Sequence, residues 1–522
     1  MSIENDIPSI AVTSRARASA AGGRPAIGWA PAAALLVFGL PFAAFSSLIL
    51  YHFYVKGSFF LDSGLFAFLI SQTDLRLPTP PVFGGGSYFG VHFTPIFVVL
   101  SLIRRLLPVA DAQFFAGVIG FCHALPGLAV FWLLHSEFAL RTPIGVAIAA
   151  IVGIAFSFNG LALAVIRYPH FEILIAGAMM LFIVALIRQR MVLAALCLAV
   201  ALATREDAGF HVFAVLFLVI VLNRWYGAGW RAQKTEIAFA TIALAYSLAV
   251  VGVQHAMVPG QSAFARVYLG DPAFGKLSLE MVSERFVGYV AYRTYIVLPA
   301  IIAVFWAVRV RNPYIALGYI AFLPWTIVHL TAASDIAGTL SSYYAFPFLV
   351  ASFWPLAGIV VARRAAAPRN PVAAPVLVFA AMLAGSFTAL PQQHNPGHID
   401  LPRAFFSPPS LARQATTDRA IEELSRSKAL LAPVLVDGSV LALAPGGYTP
   451  GETVRDGQDG HPNTVIYFVD GYEAVAARAL AAAADLDRHY QVLGTSIRLA
   501  TDLAIAGSSP LAAYLAPADA SQ

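Results

Sequence analysis

Thr94-Pro95-Ile96-Phe97-Val98-Val99-Leu100-Ser101-Leu102-Ile103-Arg104-Arg105-Leu106-Leu107 decides how this chain sits in a membrane. The stretch is apolar, but its roughly 14 residues fall short of the ~20 that a helix needs to cross the hydrocarbon core. Two arginines near its end suit an interfacial or re-entrant helix better than a crossing one. Longer apolar runs lie around it, near 30–51, 112–134, 142–163, 171–187, 191–204, 208–223, 235–257, 294–309, 313–331, 343–362 and 372–390. If 94–107 crossed, every later basic loop would land outside. If it stays on one face, the basic residues alternate correctly: the N-terminal arginines Arg15, Arg17 and Arg24, then Arg141, Arg188 and Arg190, the Arg224–Lys234 loop, Arg309 and Arg311, and Arg363, Arg364 and Arg369 share one side. By the positive-inside rule that side is the cytoplasm, and about eleven spans remain.

Composition points the same way. The chain of 522 residues is 59% hydrophobic and 12% charged, with a mean hydropathy of +0.74. No soluble fold of this size needs so much apolar sequence. Its runs are continuous rather than alternating, so helices rather than a barrel satisfy the backbone in lipid. The net charge of +5 is scattered over short loops, which argues against a nucleic-acid partner. Cys122 and Cys197 fall inside apolar runs and read as small buried hydrophobes, not a disulfide or metal pair. Residues 1–28 are polar and read as a disordered cytoplasmic tail, and the run after them is too long for a signal-peptide core. The expected architecture is an all-α polytopic membrane domain over 29–390.

Three segments then lie outside: 52–111, 258–292 and everything after about 391. The first holds Asp62 ahead of an apolar periodicity (Leu65, Phe68, Leu69) that predicts an amphipathic surface helix, then a turn-rich stretch with Pro78-Thr79-Pro80-Pro81 and Gly84-Gly85-Gly86. The last, 391–522, is richer in charge, proline and glycine. It predicts a small α/β extracytoplasmic domain, with strands at Pro433–Leu443, Thr464–Val469 and Gln491–Ala500 and a helix at Tyr472–Tyr490. There is no internal repeat and no inverted pair of broken helices.

This topology gathers the unusual polar residues on the outer face: Asp62; His92 and Thr94; Arg167, Tyr168, His170 and Glu172; Arg205, Glu206 and Asp207; His329, Asp335, Tyr343 and Tyr344. Taken singly, each has a plain structural explanation. Polar residues at helix ends are commonly just solvated. Asp62 and Thr94-Pro95 are good helix starts, and Arg205-Glu206-Asp207 could be a structural ion-pair cluster. Their convergence from distant segments is what marks a site. Glycosyl transfer from a phosphate-linked sugar needs a carboxylate to take the acceptor's proton, and Asp62 fits. It also needs cations for the departing phosphate, for which Arg167, Arg205 or the Arg104/Arg105 pair are candidates. His92, His170, Glu206, Asp207, Tyr343 and Tyr344 complete the expected donor- or substrate-binding set. No metal-ligand motif such as H-E-x-x-H occurs, so no metal site is assigned.

The elements Phe60-Leu61-Asp62-Ser63-Gly64-Leu65-Phe66, His92-Phe93-Thr94-Pro95-Ile96, Arg205-Glu206-Asp207-Ala208-Gly209 and Tyr343-Tyr344 before Pro347 resemble, in the same order, those of the DUF2079 family of bacterial membrane proteins. Thr94 stands where that family usually has Ser, and Arg205 where it has Lys. The likeness covers roughly 50–400. That family in turn resembles the GT-C superfamily of polyprenyl-phosphate-sugar-dependent glycosyltransferases, with a catalytic Asp in the first outer loop. The resemblance implies a GT-C-like helical core in a bacterial inner membrane, a polyprenyl-phosphate-linked sugar donor and a glycan, lipid or protein acceptor. No cofactor is implied with certainty, since some such enzymes use a divalent cation. A transporter or flippase of a lipid-linked sugar is the competing expectation, although its ionisable groups should sit at mid-span. A non-catalytic membrane scaffold is another.

Overall fold

The computed structural model describes residues 29–57, 61–79, 86–138, 140–166, 168–257, 264–340, 342–364, 372–389, 405–453, 461–469 and 473–518. The tail 1–28, Arg167, Ser341, residues 391–404 and most of the Pro/Gly-rich turn after Thr79 lie outside these ranges.

Helices stand at all of the expected apolar runs. They are α1 (Trp29–Tyr51), α4 (Asp111–Glu137), α5 (Pro143–Ser157) with α6 (Gly160–Ile166), α7 (Ile173–Ile187), α8 (Met191–Thr204), α9 (Ala208–Trp225), α10 (Lys234–Met257), α12 (Thr294–Arg309), α13 (Leu317–Ala321) with α14 (Leu323–Leu330), α16 (Pro347–Arg364) and α17 (Ala373–Ala389). Between them lie α2 (Leu61–Ser71), α3 (Pro95–Leu106), α11 (Leu279–Tyr292) and α15 (Asp335–Gly338). By length and composition, five of the described helices can cross a bilayer alone, or seven if the bent pairs α5–α6 and α11–α12 each count as one. The expected eleven is therefore not met by length. α7 has 15 residues, about 22 Å at helical rise, against a hydrocarbon core of about 30 Å. Run 313–331 is broken into a 3-10 turn at Pro313–Ile315 and two short helices, with Pro324 at the start of the second.

The short helices are tolerable because they run through protein. Every residue of α7 except Leu181 is buried, walled by α4, α8 and α16. At the periphery the reverse holds. Leu196 on α8, Leu248 on α10, and Ile301, Phe305 and Val308 on α12 all stand exposed. So continuous an apolar girdle needs a hydrocarbon environment.

Of the two helices that follow α1, the first departs from expectation and the second agrees with it. α2 is not amphipathic: Ser63 through Ile70 are buried, so it is an internal helix rather than one lying on the membrane surface. α3, the decisive stretch, is the two-faced helix. Ile96, Phe97 and Ser101 face the protein, while Val99, Leu102, Ile103 and Leu106 are exposed, a pattern that suits an interfacial helix.

Toward the C-terminus come α18 (Leu411–Arg426), α19 (Lys428–Leu431), α20 (Gly438–Leu443) and α21 (Glu473–Ala484) with a mixed five-stranded sheet. A two-stranded ladder, β1 (Pro78–Thr79) and β2 (Gly86–Ser87), lies between α2 and α3. The sheet comprises β3 (Val434–Val436), β4 (Thr464–Phe468), β5 (Arg488–Val492), β6 (Ile497–Thr501) and β7 (Leu515–Pro517) in the order β3-β4-β6-β5-β7. β3 and β4 run parallel; the other pairs are antiparallel. The expected strand 433–443 is half strand and half helix, because Asp437 receives the Val440 and Phe468 amides and turns the chain into α20. The expected strand 491–500 is a hairpin instead, reversed at Gly494, whose φ of 74° favours glycine. The expected helix 472–490 stops at Ala484 and gives way to β5. This unit docks on the helical core. Tyr54 Oη donates to Asp418 Oδ1 (2.9 Å), Arg413 Nε to the Tyr54 carbonyl (3.2 Å) and Gln113 Nε2 to Gln414 Oε1 (2.8 Å).

Candidate active site

The break between α8 and α9 is only three residues long. Arg205 is extended (φ −162°, ψ 155°), so successive side chains point to opposite sides. Arg205 and Asp207 fall on one side. Nε of Arg205 donates to Asp207 Oδ1 (2.6 Å) and Nη2 to Asp207 Oδ2, a bidentate pair, while Nη1 reaches Glu172 Oε1 at 2.5 Å. Glu206 reaches the other way, across to the turn ahead of α3. Its Oε1 lies 2.8 Å from His92 Nδ1, and its Oε2 accepts the Phe93 amide at 2.9 Å. One three-residue turn thus ties the α6–α7 loop and the α3 entrance together.

Asp62 arrives from the first turn of α2. It is half-buried and accepts a hydrogen bond from the Tyr168 hydroxyl. Tyr168 belongs to the α6–α7 loop that also carries His170 and Glu172, so Asp62 and Arg205 are two short links apart. An aromatic wall lines this junction. His170 stacks on Tyr343 (centroids 4.2 Å) and meets the edge of Phe66 (4.5 Å), and Tyr343 packs against Tyr168 (5.3 Å) and Tyr344 (4.2 Å). Beyond it, Trp325 donates from Nε1 to the Tyr344 carbonyl (3.0 Å) and lies under the Arg205 guanidinium, 5.8 Å from its ring centre.

Electrostatics sort the carboxylates. Burial raises Asp62 above the usual carboxylate range, and the Tyr168 hydroxyl pulls it part of the way back. Burial alone would raise Asp207, but Arg205 outweighs it and holds that carboxyl well below the usual range. Glu172 is raised by burial, with Arg205 pulling the other way. Burial opposes a charge on His92, yet Glu206 outweighs it and raises the imidazole. His170, by contrast, is lowered by burial and by Arg205, so it is neutral. Among the described residues, three of the four site carboxylates have a cationic partner within ion-pair distance: Glu172 and Asp207 with Arg205, and Glu206 with His92. Asp62 has none.

The structure brings together Asp62, His92, His170, Arg205, Glu206, Asp207, Tyr343 and Tyr344; Arg167 lies outside the described residues. Arg104 and Arg105 do not join them. Arg104 pairs with Asp111 (2.7 Å) and Arg105 donates to the carbonyls of Gln72 and Thr73, so both are occupied holding α3 to its neighbours. Asp335 is also apart from the cluster, its exposed carboxylate paired with Arg285 at 3.0 Å. Tyr168 and Glu172, gathered with this cluster from the sequence but given no role there, are direct partners of Asp62 and Arg205. The site also contains two residues the sequence reading did not name, His211 (Nε2 3.6 Å from Asp207 Oδ2) and Trp325; both lie inside apolar runs, which gave no signal. Among the described residues no group of three or more His, Cys, Asp or Glu is placed to hold a metal ion.

No protein-family model matches the chain, and no curated protein matches it. Two solved structures are similar over most of its length. ArnT from Cupriavidus metallidurans bound to undecaprenyl phosphate aligns with a TM-score of 0.47 and 14% identity, covering 92% of this chain and 99% of that one. The apo form of the same protein gives a TM-score of 0.44 and 14% identity over 90% and 97%.

Proposed function

We infer that this chain is a membrane glycosyltransferase that takes a sugar from a polyprenyl-phosphate donor and passes it to an extracytoplasmic acceptor, with Asp62 as general base. The observation that carries the reading is the sorting of the carboxylates. Among the described residues Glu172, Asp207 and Glu206 each have Arg205 or His92 as an ion-pair partner, while Asp62 has no cationic partner, accepts from the Tyr168 hydroxyl and is raised by burial. A carboxylate moved up toward the working pH is a better proton acceptor than one at its ordinary value. Among the described residues, buried Oε2 of Glu172 and Nδ1 of His170 have no hydrogen-bond partner beside the aromatic wall, the imidazole nitrogen lying 3.6 Å from Glu172 Oε1. They suit a substrate with hydroxyls to place, and the rings suit its apolar face.

In this reading Asp62 takes the proton of the acceptor hydroxyl as its oxygen attacks the anomeric carbon. The bond from that carbon to the phosphate oxygen breaks, and the electron pair leaves with the polyprenyl phosphate. Arg205 organises the site by holding Glu172 and Asp207. With its charge offset by two carboxylates, it is less suited to clamping the phosphate than its sequence position suggests. The sheet-bearing unit and the Asp62 face are taken as periplasmic, with the N-terminus cytoplasmic in a bacterial inner membrane, on the basic-loop pattern alone.

Mass spectrometry of lipid-linked sugars and surface glycans in a deletion strain tests this. The donor should accumulate and one glycan modification should disappear. Unchanged lipid-linked sugars together with unchanged glycans would contradict the reading. A lipid-linked sugar trapped on the cytoplasmic leaflet would indicate a flippase instead.

A further inference from the structure

The sheet-bearing C-terminal unit is more than an appendage, because it grips the chain on both sides of Asp62. Upstream, the Tyr54 hydroxyl donates to Asp418 and the Tyr54 carbonyl accepts from Arg413. Downstream, α20 lies directly on the first turns of α2. A Cβ built on Gly64 would stand 2.6 Å from the Gly438 carbonyl oxygen and 3.1 Å from Leu441 Cδ2. Backbone meets backbone here, so no side chain can rotate away to make room.

The grip is anchored in the sheet. Asp437, buried at the end of β3, accepts the Val440 amide of α20 (3.0 Å) on one oxygen and the Phe468 amide at the end of β4 (2.8 Å) on the other. Its own amide donates to the Ile466 carbonyl (3.0 Å). A continuous set of contacts therefore runs from β4 through Asp437 and α20 to Gly64, two residues from Asp62. The opposite side of Asp62 is set by Tyr168.

We propose that the C-terminal unit positions the base: α20, seated on Gly64, sets the height of α2 so that Asp62 meets the Tyr168 hydroxyl. Gly64, Gly438 and Asp437 are positioning residues. This rests on the reading of Asp62 as general base. It assigns the sheet-bearing unit a role in turnover rather than in binding a partner.

The test uses the full-length protein in nanodiscs with the lipid extract of a strain lacking it as donor and the cell-envelope fraction of the same strain as acceptor. Release of free polyprenyl phosphate is followed across pH, and amide hydrogen exchange of α2 is measured on the same samples. Gly64→Ala should lower saturating turnover at least tenfold with half-saturation unchanged. Its acid limb should move to higher pH as in Tyr168→Phe, and the double variant should shift it no further than the larger single effect. Its α2 amides should exchange faster. Gly39→Ala, an added methyl with nothing within 4 Å, serves as the control. If Gly64→Ala unfolds, Tyr54→Phe loosens the upstream grip and should show the same pattern at smaller amplitude.

Wild-type turnover in Gly64→Ala, or an effect additive with Tyr168→Phe, overturns the positioning role. A fully active Asp62→Asn overturns the base reading instead. Exchange in α2 reports the grip without depending on activity, so the two failures are distinguishable.

Discussion

Tyr168 is the residue through which the account is most open to attack, because its hydroxyl does one definable thing to Asp62. Burial raises the Asp62 carboxyl and the tyrosine lowers it. A base must be ionised, so activity should rise with pH through the Asp62 pKa, and that limb should lie above the ordinary value of ~4. Removing the hydroxyl removes the lowering influence, so in Tyr168→Phe the acid limb of the pH–rate profile should move to higher pH. A limb that stays in place, or moves down, would contradict this. Arg205 invites a different experiment. It is 6% exposed and compensates the buried Glu172 and the half-buried Asp207. Arg205→Ala should therefore cost about 3–5 kcal/mol, visible as a large fall in melting temperature in detergent. Arg205→Lys keeps the charge but loses the fork, so it should retain part of that stability. Equal melting temperatures for wild type and Arg205→Ala would show that the pairings are incidental.

At the scale of elements, the helices were legible where they were long and apolar, as in α1, α4, α9 and α10. The short ones were placed by sequence but could not be judged as spans, since their burial depends on neighbours that local pattern does not report. α2 shows why. Leu65, Phe68 and Leu69 gave a one-sided periodicity, yet Gly64, Ser63 and Ala67 are small enough to be packed over as well, so the whole helix is internal. α3 was expected to be interfacial or re-entrant because it is short and ends in Arg104 and Arg105, and its two-faced burial suits the interfacial alternative. The candidate site divides similarly. Asp62, His92 and Arg205–Asp207 stood out as charges among apolar runs. That Glu172 would be the second partner of Arg205, or that Arg104 would be taken by Asp111, depended on tertiary contacts no spacing encodes.

For the whole molecule, the proposed orientation rests on basic loops that alternate only when α3 stays on one face. That predicts the same side of the membrane for Asp62 and the C-terminal sheet, with the Arg224–Lys234 loop opposite. A cysteine introduced near Gly460 should react with an impermeant thiol reagent from the periplasmic side, while one in the 224–234 loop should react only after the membrane is opened. Labelling near Gly460 from the cytoplasmic side alone would reverse the topology. The docking of the C-terminal unit through Tyr54 and Gln113 already requires that the C-terminal end of α1 and the N-terminal end of α4 share its side.

The central claim, that Asp62 is the base of a sugar transfer, is tested most directly by Asp62→Asn. The purified variant and wild type would be compared for release of polyprenyl phosphate from the lipid extract of a deletion strain, with the cell-envelope fraction of that strain as acceptor and melting temperature measured alongside. A positioned base contributes ~10²–10⁴-fold, so turnover should fall by that order while melting temperature and saturation by donor stay near wild type. Full turnover in Asp62→Asn would contradict the account.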